Sequence, residues 1–338
     1  MTAAQTEADG FPHKGYPSGW FQVAWAGELE PGDVRPLRYF GRDLVLWRGA
    51  RQGYYVLDAH CRHLGAHLGH GGKVRGESIV CPFHGWRWNG DGRNELVPLE
   101  RRATDRCRMG AWETVVANGI VWVWYDALGR APLFPGPVDL PGVADGRRYD
   151  VFPHCAKAWR NVRGRPQYIP ENNVDVEHLR WTHRAKGPID AKSFAEDGYL
   201  LRISNTITYG YGKESTRLTP DGPIEVEVKA ELWGLGFQYT FFPHPDDAVS
   251  IQAQTPVDEH HCDMFQTVVV YGEDGFDPKT APEGAANARV REQFVQIERD
   301  IPIWENMQYL AEPSLSPEEV PTMDAIRAWS RRFYPTEA

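Results

Sequence analysis

The sequence predicts an α+β protein in which an N-terminal all-β domain precedes a domain made of an antiparallel sheet and helices. Short runs rich in aromatic and β-branched residues, separated by glycine-containing turns, fill the early part of the chain. Helical periodicity appears only in the second half. There an apolar residue recurs at alternating spacings of four and three, at Val290, Phe294, Ile297, Ile301 and Trp304. A length of 338 residues accommodates about two domains.

The first domain is predicted to span residues 19–130, after a Gly-, Pro- and His-rich arm at residues 1–18. Runs rich in aromatic and β-branched residues predict its strands at residues 20–25, 42–48 and 53–58. The pair Asn118-Gly119, inside residues 115–124, favours a tight turn between two strands. We therefore expect an antiparallel β domain that a hairpin closes at its C-terminal end.

Residues 131–146 are predicted to form a linker. They contain four prolines and three glycines, which makes continued regular structure unfavourable. The second domain then covers residues 147–338. Its predicted strands lie at residues 200–209, 224–233, 237–242 and 264–271. Its predicted helices lie at residues 171–182, from about residue 288 onward, and around Ile326, Trp329 and Phe333.

Composition and charge argue against several classes of protein. A net charge of -9 without any extended Lys/Arg run argues against a nucleic-acid partner. No stretch approaches the roughly eighteen apolar residues of a membrane span, and residues 1–10 resemble neither a signal nor a transit peptide. Five cysteines, of which Cys107, Cys155 and Cys262 have no paired spacing, fit a reducing compartment. We therefore expect a cytoplasmic protein.

Two short motifs in the first domain carry metal-type ligands. Cys61 and His63 form a Cys-x-His motif, and Cys81 and His84 form a Cys-x-x-His motif seventeen residues further on. A Rieske two-iron, two-sulfur cluster uses this mixed set, with both cysteines on one iron and both histidines on the other. Zinc is the competing interpretation, although zinc-finger spacings group Cys with Cys and His with His. The spacing therefore favours a Rieske cluster.

The second domain contains its own concentration of metal-type ligands, between Asn172 and His183. Asp175 and His178 lie three residues apart and would share one face of a helix. His183 lies five residues beyond His178, about 140° around an ideal helix, so the helix must end or bend before both imidazoles reach one metal. Two histidines and one carboxylate are the ligands of non-haem iron oxygenases. Ordinary core or surface histidines are the alternative.

The residues alone leave the carboxylate ligand open. Asp175 is close enough to compete, but a ligand from a distant segment closes a pocket better than one from the same turn. Asp300 is such a candidate, because it lies at the edge of the apolar helical stripe and just before Pro302. An acid at such an edge is unusual unless it is paired or bound.

Several motifs resemble those of Rieske non-haem iron oxygenases. The run Cys-Pro-Phe-His-Gly-Trp-Arg-Trp-Asn-Gly-Asp-Gly at residues 81–92, with Leu-Val-Pro at residues 96–98, is most similar to 3-ketosteroid 9α-hydroxylase oxygenases and to sterol 7-desaturases. The run Asp-Ile-Pro-Ile-Trp at residues 300–304 is similar to the same group, as are Arg-Ala-Trp at residues 327–329 and Phe-Tyr at residues 333–334. The resemblance extends over nearly the whole chain.

The resemblance implies a function for each motif. It makes the cluster ligands Cys61, His63, Cys81 and His84, and the ligands of a mononuclear Fe(II) His178, His183 and Asp300. Asp175 is then a bridge that carries electrons from the cluster histidine of a neighbouring subunit to His178, and Asn172 is counted with it as a catalytic residue. The family works as a homotrimer, so His84 or His63 is expected at a subunit interface.

The predicted protein is thus a reductase-dependent oxygenase. It would use O2 and electrons from NAD(P)H that arrive through a ferredoxin and/or a flavin reductase, since no dinucleotide fingerprint occurs in the chain. Hydroxylation or desaturation of an apolar, steroid- or sterol-like substrate is expected, and a smaller aromatic or polycyclic natural product is the alternative. An electron-transfer protein without oxygenase chemistry is an alternative of another class. The aromatic residues expected to line the pocket are Phe237, Tyr239, Phe241, Phe265 and Trp304.

Overall fold

The computed structural model describes residues 10–51, 53–143, 146–185 and 190–335. Within these ranges the chain forms eighteen strands in four antiparallel sheets, together with four α-helices. The first three sheets belong to the N-terminal part of the chain, and the fourth, largest sheet belongs to the C-terminal part. This arrangement confirms the α+β class with an all-β N-terminal domain.

The N-terminal domain combines small sheets in which most strands are short. Its strands are β1 (Gly19–Trp25), β2 (Val34–Tyr39), β3 (Arg42–Arg48), β4 (Tyr54–Asp58), β5 (Lys73–Arg75), β6 (Ser78–Val80), β7 (Arg87–Trp88), β8 (Asn94–Leu96), β9 (Ala111–Trp112), β10 (Thr114–Ala117) and β11 (Ile120–Tyr125). The strand orders are β1-β11-β10, β2-β3-β4-β9 and β5-β6-β7-β8. The last of these sheets carries the second ligand motif between β6 and β7.

The predicted closing hairpin is confirmed. Strands β10 and β11 pair directly, and Ala117 lies opposite Ile120. Between them Asn118 and Gly119 have φ values of 56° and 70°, the left-handed conformation that an Asn-Gly turn requires. The Asn118 side chain also accepts a hydrogen bond from the backbone of Leu140 at 2.7 Å, which ties the turn to the following segment.

The C-terminal domain is built on one seven-stranded sheet. Its strands are β12 (Ala156–Arg163), β13 (Asp190–Asp197), β14 (Leu200–Tyr209), β15 (Ile224–Trp233), β16 (Phe237–Phe242), β17 (Ala248–Pro256) and β18 (His261–Val269). They follow the order β12-β18-β17-β16-β15-β14-β13. Four of these strands agree with the sequence prediction, whereas β12, β13 and β17 were not predicted. β17 was missed because Ser250, Gln252 and Gln254 make a fully buried strand look polar.

Four helices accompany this sheet, and one prediction among them is wrong. They are α1 (Tyr168–Val174), α2 (His178–Trp181), α3 (Gly284–Asn306) and α4 (Val320–Arg331). The single helix predicted at residues 171–182 is broken at Asp175, whose φ of -85° and ψ of 93° are extended. Asp175 and His178 therefore do not share a helical face. The required break before His183 is confirmed, since α2 ends at Trp181.

The two domains share one continuous hydrophobic core. Trp122 of β11 contacts Phe237 of β16 with ring centroids 4.6 Å apart, and Trp25 of β1 contacts Phe265 of β18 at 5.4 Å. The Nε1 of Trp25 also donates to the Oγ1 of Thr267 at 2.8 Å. One face of the large sheet therefore packs against the N-terminal domain.

This core corrects the prediction of the pocket aromatics. Phe237, Tyr239 and Phe265 lie in the interdomain core, and Phe241 shares their face of the sheet by strand alternation. Trp304 lies on the other face, where it packs with Ile169 and other buried residues near α1. Strand alternation explains the error, because aromatic residues fill the face that the N-terminal domain covers.

The opposite face of the large sheet packs against helices. Trp304 and Ile301 of α3 belong to one hydrophobic cluster with Met264 of β18 and Ile169 of α1, so residues of both helices pack on this face of the sheet. This packing sets the positions of the ligand candidates on α2 and α3. Among the helices in the described chain, none combines the length and apolar composition that crossing a bilayer requires.

Candidate metal centres

The two cluster-type motifs occupy loops with the same backbone design. In the first loop the backbone N–H of Gly65 donates to the carbonyl of Cys61 at 2.9 Å. In the second the N–H of Gly85 donates to the carbonyl of Cys81 at 3.1 Å. Gly65 and Gly85 have φ values of 78° and 70°, where a residue with a Cβ is strained. Glycine four residues after each cysteine therefore allows both loops to turn back sharply.

The two cysteines and two histidines of these loops differ in their exposure to solvent. Cys61 and Cys81 are buried, whereas His63 and His84 are exposed, with their rings 4.7 Å apart. Trp88 donates its Nε1–H to the Sγ of Cys61 at 3.3 Å. The arrangement has a buried sulfur side and an exposed imidazole side, which fits a cluster with two cysteines on one iron and two histidines on the other.

The Cys61 thiol lies in a site that disfavours its negatively charged form. Burial, together with the neighbouring Cys81, raises the pKa of Cys61 to about 11. Hydrogen bonds from the backbone of His63 and from the Trp88 indole act in the opposite direction. Iron binds the thiolate form, so a bound cationic centre would stabilise these sulfurs where burial alone does not. The donor set therefore fits an iron–sulfur centre better than a pair of structural thiols.

Three side chains converge in the C-terminal domain. The donor atoms of His178, His183 and Asp300 all lie within 4.8 Å of one another. The Nε2 of His183 lies 3.3 Å from the Oδ1 of Asp300, and both side chains are nearly inaccessible to solvent. His178 and His183 have ring centroids 5.0 Å apart. The structure thus selects Asp300, rather than Asp175, as the acid beside the two histidines.

The break between α1 and α2 aims the His178 ring. The Oδ1 of Asp175 accepts hydrogen bonds from the backbone N–H groups of Glu177 and His178, at 3.1 and 3.2 Å, and so caps α2. The Nδ1 of His178 contacts the carbonyl oxygen of Asp175. This contact favours a proton on Nδ1 and leaves the Nε2 lone pair for a metal. The Nδ2 of Asn172 lies 3.2 Å from that Nε2.

Burial favours the uncharged form of all three groups, so the site contains no positive charge of its own. Burial, together with the nearby His178 and Arg299, lowers the pKa of His183 to about 4. Burial also lowers the pKa of His178. Burial raises the pKa of Asp300 to about 7, although Arg299 opposes the shift. Two neutral imidazoles and a buried carboxyl group are the donors that a divalent cation stabilises.

The orientation of His183 also fits a bound cation. Its Nε2 faces Asp300, and the side chain of Gln296 on α3 is a hydrogen-bonding neighbour of the same ring. The Nη1 of Arg299 donates to the backbone carbonyl of His183 at 3.0 Å, which fixes the segment after α2 against α3. A cation between the two groups would take the Nε2 of His183 and a carboxylate oxygen of Asp300 as ligands.

Sequence reasoning missed several residues that support the two sites. Trp86 stacks on His63 with ring centroids 4.7 Å apart, and Trp88 hydrogen-bonds to Cys61. Asn173 donates from Nδ2 to the Oε1 of Gln238 at 2.7 Å, which anchors α1 to the sheet. The two tryptophans lie within the run at residues 81–92, so the sequence placed them close to the proposed cluster ligands. No sequence pattern indicated the contact between Asn173 and Gln238.

Comparison with known protein families agrees with both sites. Residues 19–113 match the Rieske [2Fe-2S] domain, and residues 123–334 match the 3-ketosteroid 9α-hydroxylase C-terminal domain. The chain belongs to the Rieske oxygenases that carry this C-terminal domain. It is therefore an enzyme, the oxygenase component of a multicomponent system, and the resemblance inferred from the sequence is confirmed. The electron-carrier and zinc alternatives are not supported.

Individual relatives of this Rieske oxygenase are similar over most of their length. A 3-ketosteroid-9-alpha-monooxygenase oxygenase component from Rhodococcus rhodochrous is 28% identical over 94% of this chain and 79% of its own. A cholesterol 7-desaturase from Xenopus laevis is 27% identical over 94% of this chain and 72% of its own. Both belong to the group that the sequence motifs indicated.

Solved structures show the same fold at lower sequence identity. Dicamba monooxygenase bound to 3,6-dichlorosalicylic acid has a TM-score of 0.67 and 16% identity, over 93% of this chain and 97% of its own. NdmA from Pseudomonas putida CBB5 with caffeine has a TM-score of 0.67 and 16% identity, over 92% and 89%. At this level of identity the likeness establishes the fold of the Rieske oxygenase and nothing about its substrate.

Proposed function

We propose that this oxygenase binds one Rieske cluster and one mononuclear Fe(II). The proposed cluster ligands are Cys61, His63, Cys81 and His84, and the proposed iron ligands are His178, His183 and Asp300. The convergence of two neutral imidazoles and one buried carboxyl group carries this proposal. When bound, the two centres would supply single electrons and the activation of O2.

The residues around the iron ligands have positioning tasks in this proposal. Asp175 fixes the start of α2 through its side chain and contacts the His178 ring through its carbonyl oxygen. We propose that the same carboxylate, which accepts the backbone N–H of His178, also forms the bridge to a cluster histidine of a neighbouring subunit. Asn172 lies against the ring nitrogen of His178 and limits the orientations of that ring. The low histidine pKa values keep the nitrogen lone pairs available for metal binding.

Electron delivery in the proposal runs between subunits of a homotrimer. The exposed Leu64 and Phe83 flank the cluster-type histidines, with 66% and 61% of their side chains accessible. Trp181, three residues after the iron-ligand candidate His178 on α2, is 84% accessible. Apolar groups at both ends of the proposed route support a protein contact at each. NAD(P)H, as the source of electrons, would act through a ferredoxin and/or a flavin reductase in the cytoplasm.

The proposed reaction is hydroxylation or desaturation of an apolar carbon. The Rhodococcus and Xenopus relatives are named for 3-ketosteroid and cholesterol chemistry, which supports a steroid- or sterol-like substrate. A smaller aromatic or polycyclic natural product is the second candidate. It is favoured by the polar side chains on the sheet face toward α1 and α3, since Gln238, Gln252 and Gln266 are all buried there.

Oxygen uptake with the intact holoenzyme tests this function. The protein is combined with NADH, a ferredoxin and a ferredoxin reductase, and it is offered 3-ketosteroids, sterols and hydroxylated aromatic compounds in turn. We expect at least one class to stimulate oxygen uptake and to yield a product changed by one oxygen atom or by two hydrogens. An Asp300→Ala variant serves as the control without iron. Equal uptake by that variant, or no stimulation by any class, contradicts the proposal.

A further inference from the structure

A row of three glutamine side chains crosses the centre of the seven-stranded sheet. Gln238 on β16 is the register partner of Gln252 on β17, which is in turn the register partner of Gln266 on β18. Direct partners in antiparallel strands place their side chains on the same face of a sheet. The three side chains are only 6%, 8% and 1% exposed. We call them the glutamine row.

The glutamine row faces the helices and not the N-terminal domain. Strand alternation sets the row opposite to Phe237 and Tyr239, whose side chains contact the N-terminal domain. At one end Gln238 accepts the hydrogen bond from Asn173 of α1. At the other end Lys157, the register partner of Gln266, forms an ion pair with Glu298 of α3.

The row therefore spans the sheet between the helix that precedes His178 and the helix that carries Asp300. Asn173 is adjacent to Asn172, which contacts His178, and Glu298 lies two residues before Asp300. Hydrogen bonds and an ion pair thus link the two ends of the glutamine row to the two segments that carry the converging donors. A substrate held between the two helices, beside the proposed iron, would have the row on its sheet side.

The hydrogen bonds inside the row leave one buried polar atom without a partner among the described residues. The Nε2 of Gln238 donates to the Oε1 of Gln252 at 3.3 Å, and the Nε2 of Gln266 donates to the Oγ of Ser250. The Oε1 of Gln266 is buried and has no partner among the described residues. If the amide of Gln266 were turned over, its NH2 group would lack a partner instead of its oxygen. One polar atom of this side chain is therefore unpaired in either orientation. A buried amide left this way is costly unless a ligand completes it.

We propose that Gln238, Gln252 and Gln266 form the polar wall of the substrate site and select a substrate that carries a hydroxyl, ketone or N–H group. This inference rests on the proposed iron site and adds the chemical class of its substrate. A polar group of the substrate completes the hydrogen bonds of the row and fixes which carbon faces the iron. A hydrocarbon of the same shape leaves the amides unpaired, and sites built this way discriminate strongly against such analogues.

Equilibrium dialysis of the anaerobic, iron-loaded protein tests this proposal without turnover. The probes are two matched pairs: 1-naphthol with naphthalene, and 3β-hydroxy-5α-androstane with 5α-androstane. We expect the hydroxylated member of at least one pair to bind about tenfold more tightly than its hydrocarbon. This expectation can fail clearly, because water solvates the hydroxylated probe better than the hydrocarbon. A purely apolar pocket would therefore bind the hydrocarbon more tightly.

Substitutions at Gln266 test whether the glutamine row causes the preference for the hydroxylated probe. Gln266→Leu and Gln266→Met should both bring the ratio of the two affinities close to one while the iron content stays that of the wild type. The matched control is Gln22→Leu, which removes an equally buried amide from β1 in the other domain and should keep the preference.

The proposal is overturned if neither hydroxylated probe binds more tightly than its hydrocarbon to the wild-type protein. It is also overturned if the preference survives both substitutions at Gln266 in iron-loaded protein. These outcomes are separate from a failure of the proposed function, which would appear as absent iron or absent oxygen uptake.

Discussion

At the scale of single residues, Asp175 combines a structural and an electrostatic task. Its Oδ1 accepts two backbone N–H groups at the start of α2, so removing the side chain also removes a helix cap. A substitution to alanine therefore mixes two effects. Asparagine keeps an oxygen that can accept the same hydrogen bonds and removes only the negative charge.

We predict that Asp175→Asn retains both metal centres and loses coupled turnover. Reductase-dependent oxygen uptake should fall by about 10- to 100-fold, the scale of one lost charge-assisted hydrogen bond. Iron content and the electron paramagnetic resonance signal of the cluster should not change. Glu177→Gln, a neutralised acid on the exposed side of the same turn, should keep wild-type uptake. Wild-type uptake by Asp175→Asn would exclude the bridging task.

The four proposed cluster ligands could be named from the sequence because they lie in two short local motifs. The residues alone left the proposed iron carboxylate open, and only the family resemblance named Asp300, because Asp300 meets His183 through the packing of α3, 117 positions along the chain. Asp175 was the competing acid by proximity in sequence. It is excluded from the set of three converging donors because its carboxylate turns back to cap α2.

At the scale of elements, α1 is held in place by α4. The Nε and Nη2 of Arg327 donate to the two carboxylate oxygens of Glu171 at 3.1 and 3.0 Å. The Nη1 of Arg327 also donates to the carbonyls of Leu310 and Ala311, both at 3.0 Å. This partly buried, bidentate pair fixes the helix that leads into His178.

We predict that Arg327→Met lowers the free energy of unfolding by about 2–4 kcal/mol, because it leaves Glu171 partly buried and unpaired. Calorimetry of the holoenzyme should show the lower Tm. The control is Arg332→Met, which removes an exposed ion pair with Glu196 and should cost about 0–1 kcal/mol. Equal losses in the two variants would mean that the Arg327 pair does not secure α1.

Strand prediction succeeded where hydrophobic runs were visible and failed where buried strands carried amides. β14, β15 and β16 were recognised from apolar or alternating residues. β17 was missed although it is buried throughout, because Ser250, Gln252 and Gln254 alternate with its apolar residues. These polar residues face α1 and α3, and only the folded sheet identifies that face as an interior one.

At the scale of the whole molecule, the two domains are joined by a shared core and not by a linker alone. Trp25 of β1 packs between Phe265 and Phe152 and donates to Thr267. Large apolar contacts of this kind couple the unfolding of the parts that they join. The position of residues 131–146 as a linker stays a prediction, and Phe134 within it packs into the same core.

We predict that Trp25→Ala destabilises both domains together by about 3–5 kcal/mol, the usual cost of truncating a buried tryptophan. Calorimetry should show a single transition at a lower Tm, with loss of the cluster colour over the same temperature range. Thr267→Val removes only the hydrogen bond and should cost about 1 kcal/mol. Two separate transitions in the wild-type protein would contradict the shared core.

Iron analysis combined with electron paramagnetic resonance tests the central claim, that one chain holds both a Rieske cluster and a mononuclear iron. Anaerobically purified wild-type protein should contain about three iron atoms per chain and show a Rieske signal. His178→Ala and Asp300→Ala should each contain about two, with that signal unchanged, whereas Cys81→Ser should lose the signal and keep about one. About three iron atoms in Asp300→Ala, or a colourless wild-type protein that contains zinc, would contradict the account.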